Sequence, residues 1–268
     1  MATFPLRGKH AVITGASDGI GREVALEATR RGARVSLAAR STDKLDALAS
    51  QIVSGGGAAD VFSTDVSEEA QCRRLIGGAI AAQGEIDVLV CNAGLGSATQ
   101  GDELIDLDVI RKLMNVNFLG AVYPTAAAIP SLRKTRGLIV AVSSLQGLLS
   151  FPKSSAYSAS KHAMQGYFSG LRVDLRDAGI GVLIVSPGGV ATNIHQKQVS
   201  RYAGMTMEKI AKRAMSPAVC ANLICDAIEA RQRDLVMTSG GKLMVKLLPF
   251  APNLVDALVL RSVKRFYR

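Results

Sequence analysis

Short, mostly apolar runs recur along the chain: "HAVITGAS", "ARVSLAAR", "AADVFSTDV", "EIDVLVCNAG", "GLIVAVSS" and "GVLIVSPGG". Most are rich in β-branched residues. Between them lie stretches with helical spacing of apolar and polar positions, such as "GREVALEATRRG" and "STDKLDALASQIVSGGG". Strand runs separated by roughly 10 to 15 or more helical residues predict right-handed βαβ units, and strands this continuously apolar predict a parallel sheet covered on both faces. The expected fold class is therefore α/β: a doubly wound parallel sheet, Rossmann-like, in a single domain. No linker, charge block or internal repeat divides the 268 residues, a length that one large domain accommodates.

Ligands of such sheets bind outside the carboxyl ends of the strands. The first strand ends in "TGASDGIG", where Gly15, Gly19 and Gly21 permit a tight turn close to a diphosphate, and Ser17, Asp18 and Ile20 complete the entry to a helix whose N-terminal N–H groups favour an anion. The second ends in "AAR". An acid at this point selects NAD by accepting from the ribose 2′-OH, whereas Arg40 suits a 2′-phosphate, so NADP(H) is preferred, with NAD(H) as the alternative. Asp18 lies close enough in sequence to oppose that phosphate, and Arg40 also reads as a solvated surface group. The third strand closes with Asp65 and Val66, the fourth with Asn92, Ala93 and Gly94; their plain readings are a helix cap and a turn. The fifth closes with "VSSLQG", and the sixth with "SPGGVATN", which carries Pro187, Gly188, Val190 and Thr192.

The helix after the fifth strand contains "SSAYSASKHAM". Residues four apart share a helix face, about 5 to 6 Å apart at Cβ, so Tyr157 and Lys161 can act on one object. Taken in order, "TGASDGIG", "NAG", "VNFLG", "VSS", "YSASK" and "PGGVAT" resemble the short-chain dehydrogenase/reductase family over roughly residues 8 to 240. The resemblance implies an oxidoreductase acting on CH–OH groups, with Tyr157 as acid/base, Lys161 as its partner on the nicotinamide ribose, Ser144 orienting the carbonyl and Asn117 holding a water in a proton relay. It also implies cofactor contacts at Gly15, Gly19, Gly21, Asp65, Asn92, Val190 and Thr192, a substrate lid at about 190–216, and a homodimer or homotetramer paired through the long helices before Ser144 and around Tyr157. A free phenol has a pKa near 10, and Lys161 together with a cationic oxidised nicotinamide is expected to lower it.

Composition narrows the remaining classes. A net charge of +10 lacks the aromatic-interleaved basic stripe of a nucleic-acid binder. Cys72, Cys91, Cys220 and Cys225 form no C-x-x-C pair, so neither a metal site nor a disulfide framework is expected. No signal-peptide pattern is visible, and runs such as "FLGAVYPTAAAIPSL", interrupted by proline, fall short of a spanning helix and read as buried helix. The expectation is a cytoplasmic protein.

Leu145, Leu148, Leu149 and Phe151, with Met205, Met207 and Met215, suit a hydrophobic ketone, aldehyde or secondary alcohol, ordinary core packing being the competing reading. The expected catalytic domain is 1–238, followed by a basic, apolar extension at 239–268. That extension packs on its own domain, covers a partner subunit or meets a membrane surface. A nucleotide-binding sensor without turnover is the rival function. A hydrolase is disfavoured because "GYFSGL" does not fit a nucleophile elbow.

Overall fold

The computed structural model describes residues 3–96, 106–152, 154–192 and 214–267. Seven strands form one parallel sheet in the order β3-β2-β1-β4-β5-β6-β7. They are β1 (His10–Thr14), β2 (Arg34–Ala39), β3 (Ala58–Ser63), β4 (Val88–Cys91), β5 (Leu138–Val142), β6 (Gly181–Ser186) and β7 (Asp234–Val236). The first six fall in the runs picked out above. The seventh, three residues at the sheet edge, continues the register through Ile184 opposite Asp234 and Ser186 opposite Val236.

Alternation within each strand sends side chains to two cores. Ala11 and Ile13 of β1 and Leu138, Val140 and Val142 of β5 face a core closed by α1 (Gly19–Arg30), α2 (Thr42–Ser54) and α7 (Pro217–Glu229). Val12, Ile139 and Ala141 face the other, closed by α3 (Glu69–Gln83), α5 (Gly120–Thr135) and α6 (Ser155–Asp174). The order turns back at β1, since β2 lies on one side of it and β4 on the other. The crevice at that reversal is where a doubly wound sheet takes its ligand.

Helix α5 runs through both Pro124 and Pro130 without a break, so the prolines of the "FLGAVYPTAAAIPSL" run do not interrupt it. Pro124 lies in the second turn and removes only the bond to the Gly120 carbonyl. Upstream, the short α4 (Leu107–Leu113) leads into a π-helical turn over Met114–Leu119 that widens the helix just before Gly120.

The C-terminal helices α8 (Ser239–Leu247) and α9 (Pro252–Tyr267) form a third cluster. Val255 and Val259 are buried with Leu145 and Leu149, and Phe151, Met244 and Leu248 pack around them. The extension therefore lies on its own domain, one residue along from Ser144. No helix among the described residues is long and apolar enough to cross a membrane.

Candidate active site

Two loop systems meet at the β1–β4 reversal, and hydrogen bonds from Asn92 join them. Its Nδ2 donates to the carbonyls of Thr14 (3.0 Å) and Gly15 (3.2 Å), while the Thr14 hydroxyl accepts from Asn92 N (3.0 Å) and Ala93 N (3.1 Å). Gly15 adopts φ +67° and Gly19 φ +55°, a left-handed conformation that costs glycine little. A Cβ on Gly15 would come within 2.8 Å of Ala93 Cα, and one on Gly21 would overlap the Gly15 carbonyl and Asn92 Nδ2. The glycines thus bring the first strand end against the fourth. Asp18 caps α1, accepting from Gly19 N at 2.7 Å, and Thr192 closes over Gly19.

Beside this turn opens a cleft of about 450 Å³, lined by Gly15, Ser17, Asp18, Gly19, Ile20, Ala39, Arg40, Asp65, Val66, Asn92, Ala93, Gly94 and Thr192. Ser41, Lys44, Leu95, Gly96 and Val116 also line it; sequence reasoning missed them. Lys44 had a partial signal, a cation in the first turn of the helix that follows Arg40. The volume falls within the range of small-ligand sites. The crevice runs from a helix N-terminus to a pair of cations and is walled by small residues, which fits a dinucleotide.

At the cation end, Arg40 Nη1 lies 3.9 Å from Asp65 Oδ2, with two thirds of the arginine side chain exposed. Partial burial works against the Asp65 charge. Hydrogen bonds from Ser67 Oγ and N, together with Arg40, prevail and hold the carboxyl below its usual range. Asp65 also shapes the turn ahead of α3 through these Ser67 bonds, but it is not the helix cap, a position that Glu68 holds without a side-chain bond.

A second group of side chains stands at the end of β5. Ser144 begins a short 3₁₀ turn over Leu145–Gly147, its Oγ accepting from Gln146 N at 3.1 Å. The same hydroxyl is near enough to the Tyr157 phenol to favour its ionised form. Burial pushes the phenol above its ordinary pKa, and the Ser144 hydroxyl opposes this. Lys161, buried at 4% exposure, points its Nζ at the Val142 carbonyl (2.9 Å) and lies 5.9 Å from the centre of the Tyr157 ring. Burial brings the ammonium down to about 8. In the protein alone, then, the phenol is shifted opposite to the sequence expectation: desolvation outweighs the polar neighbours, and the lysine charge is turned toward a backbone carbonyl.

Asn117, within the π-helical turn, is fully buried. Its Oδ1 accepts from Leu95 N (2.7 Å), and its Nδ2 donates to Leu95 O and to Ser160 Oγ, both at 3.0 Å. Both amide hydrogens are used, which leaves a second lone pair on Oδ1 for a water. Gly94 connects the two groups of residues: a Cβ there would lie 3.3 Å from Asn117 Oδ1 and 3.7 Å from Lys161 Nζ. The cleft loop and the tyrosine helix are therefore contiguous.

Not every expected contact residue lines the cleft. Gly21 packs beneath the turn. Pro187 accepts from Leu145 N at 2.8 Å, Gly188 packs on Thr238, and Val190 bridges to Met215. Pro187 and Gly188 belong to the Ser144 side, whereas Val190 packs into the core closed by α1, α2 and α7. Met215 packs on the core, while Met205, Met207 and most of the expected lid lie outside the described residues. The four cysteines are buried, and burial pushes Cys72 up to about 11 and the others to about 12. Among the described residues no group of histidine, cysteine and acidic side chains could hold a metal.

The geometry has counterparts among known proteins. The chain is 34% identical over 243 residues to mouse dehydrogenase/reductase SDR family member 7B, covering 87% of this chain and 74% of that one. It is 33% identical over 264 residues to 11-beta-hydroxysteroid dehydrogenase 1A of Arabidopsis thaliana, covering 94% and 74%. A short-chain dehydrogenase/reductase from Burkholderia phymatum, solved in complex with NAD, superposes with a TM-score of 0.84 at 26% identity over 94% of this chain and 96% of that one. An alcohol dehydrogenase from Thermococcus sibiricus, complexed with 5-hydroxy-NADP, gives 0.76 at 26% identity over 85% and 95%. Residues 9–203 match the short chain dehydrogenase family model, and with a seven-stranded parallel sheet of this order the chain belongs to the short-chain dehydrogenase/reductase family of oxidoreductases.

Proposed function

We propose that the protein transfers hydride between NADP(H) and a hydrophobic ketone, aldehyde or secondary alcohol, with Tyr157 as the acid/base. The observation that carries this reading is the meeting of the tyrosine helix with a cleft of dinucleotide character: Lys161 Nζ stands 5.9 Å from the centre of the Tyr157 ring and 3.7 Å from where a Cβ on Gly94, in the cleft wall, would lie. The glycine turn and the N-terminus of α1 would hold the diphosphate, Asp65 the adenine end, and Lys161 the nicotinamide ribose. Arg40 and Lys44 together favour a 2′-phosphate over a hydroxyl. When bound, the nicotinamide gives or takes the hydride and, in its oxidised form, brings a positive charge.

The chain's own residues handle the proton. A phenol held above its ordinary pKa by burial keeps its proton at neutral pH and can deliver it to a carbonyl oxygen. The Ser144 hydroxyl would donate a second hydrogen bond to that oxygen and stabilise the charge developing on it. Lys161, with Asn117 and a water at its Oδ1, would return a proton to Tyr157. Leu145 and Leu149 are buried under Val255 and Val259 with Phe151 packed against them, so core packing accounts for these three residues. A homodimer or homotetramer in the cytoplasm, with the C-terminal extension available for peripheral membrane contact, completes the reading.

The test is absorbance loss of NADPH with a panel of apolar and small polar carbonyl compounds. Apolar substrates are expected to turn over, with kcat/KM for NADPH above that for NADH and the preference falling about tenfold or more in Arg40→Ala. Tyr157→Phe is expected to lose at least a hundredfold in kcat while binding NADPH as before. Full activity in Tyr157→Phe, or a preference for NADH, overturns the corresponding part. NAD(H) is the second reading, favoured by Asp65 standing within 3.9 Å of Arg40.

A further inference from the structure

The two C-terminal helices have an inner and an outer face of different character. Inward, Val255 and Val259 are buried on Leu145 and Leu149. Outward, Leu243, Phe250, Leu254, Leu258 and Leu260 remain exposed, Phe250 at 86%. More than half of the large exposed apolar side chains among the described residues belong to this hairpin, a concentration that single scattered surface residues do not produce. Phe250 stands at the corner between the helices, between Pro249 and Pro252. Lys242, Lys246 and Arg261 are exposed on the same elements. Residues 239–268 hold six basic residues against Asp256 alone.

We infer that the α8–α9 hairpin is a docking surface for an anionic lipid bilayer, with Phe250 foremost and the lysines and Arg261 on lipid phosphates. Amphipathic helices with basic residues beside an apolar face lie in the headgroup region, and each cation adds to the attraction. A second copy of the chain fits the face less well, because two faces that each present Lys242, Lys246 and Arg261 against Asp256 alone repel. The inference deepens the proposed use of apolar substrates and depends on that reading only for its purpose. The docked face is separated from Leu145 and Leu149, beside Ser144, by about one helix diameter of 10–12 Å, so a carbonyl compound dissolved in the bilayer has a short way to the site.

The test is cosedimentation of the full-length protein with vesicles of phosphatidylcholine alone and of phosphatidylcholine with phosphatidylglycerol, run beside size measurement without lipid. Binding is expected to the anionic vesicles and not to the neutral ones. It should weaken about fivefold for each lysine removed in Lys242→Gln and Lys246→Gln, and disappear in Phe250→Asp/Leu254→Asp. That double variant should keep its turnover of a water-soluble carbonyl compound, which also shows that it folds. No binding to anionic vesicles, or binding indifferent to Phe250 and Leu254, overturns the inference. So does a drop in oligomer size in the double variant with vesicle binding unchanged. Turnover failure with vesicle binding intact would instead strike at the proposed function.

Discussion

Lys161 donates to the carbonyl of Val142, the last residue of β5, at 2.9 Å, and this bond ties the tyrosine helix to the strand end that carries Ser144. A buried ammonium held in this way is costly. Its fall from 10.5 to about 8 corresponds to about 3 kcal/mol at neutral pH. The unfolded chain binds this proton more tightly, so the cost is fully present below about pH 8 and fades as pH rises toward 10.5. Lys161→Met, which also forfeits the Val142 bond, is expected to gain about 1–2 kcal/mol at pH 7 and to gain nothing at pH 10.5. Urea denaturation of both proteins across that range measures it, with turnover lost in the variant. Equal stability at pH 7 would contradict the burial cost.

Asn117 holds the Leu95 backbone at both its N–H and its carbonyl, which makes it a clamp on the loop after β4 as well as a candidate water holder. The two roles separate in kinetics. Loss of the clamp in Asn117→Ala should raise KM for NADPH about tenfold or more and cost about 1–3 kcal/mol of stability. Asn117→Asp keeps the acceptor for Leu95 N and should recover part of the affinity. If KM stays constant while kcat falls and its pH profile shifts, the residue serves the relay rather than the loop.

Much of this arrangement was legible in the chain, and what was not has identifiable causes. Apolar runs rich in β-branched residues located six strands because a parallel sheet buries both faces of its inner strands, the partly exposed edge strand β3 being the weakest of them. β7 was missed because "DLV" is too short to show a period. Four-residue spacing put Tyr157 and Lys161 on one helix face, but spacing along one helix does not say which outside group takes the ammonium. Val142 does so across 19 residues of chain. The Asn92–Thr14 bonds likewise join residues 78 apart. Seen locally, Asn92 was only a turn residue and Thr14 a strand end. Arg40 could be read from its place after β2, and Lys44 less readily because its helix face depends on how α2 packs.

His10 provides a pH test remote from the active site, at the amino end of β1. It is completely buried, with Nε2 2.9 Å from Ser36 Oγ and Nδ1 3.1 Å from the Gly84 carbonyl. Burial lowers its pKa below 6.5, partly offset by Gly84. The folded protein therefore resists a proton that the unfolded chain accepts. The stability this gives is present above 6.5 and is lost as pH falls from there toward the lowered value. Denaturation midpoints should decline below pH 6.5 more steeply in the wild type than in His10→Gln. Parallel curves would show that His10 does not contribute.

Gly241 offers a way to disturb Ser144 without touching the cofactor cleft. A Cβ at this buried position would come within 2.6 Å of Thr238 Oγ1 and within 2.9 and 3.0 Å of the two δ-carbons of Leu145. Thr238 in turn packs on Gly188, and Leu145 N donates to Pro187 O at 2.8 Å. The C-terminal hairpin, the turn after β6 and the residue following Ser144 are thus one packed unit, and a side chain forced into it must move Leu145 or Thr238. Overpacking of this kind costs about 1–3 kcal/mol, and a displacement of about 1 Å at an aligned group can cost about a hundredfold in rate. Gly241→Val is expected to lower kcat about ten- to a hundredfold with a modest fall in Tm. NADPH affinity should hold, because neither Gly241 nor Leu145 lines the cleft. Fluorescence titration with NADPH beside steady-state turnover separates the two effects. If kcat is unchanged while Tm falls, Leu145 gives way without carrying Ser144, and the hairpin has no part in positioning that hydroxyl.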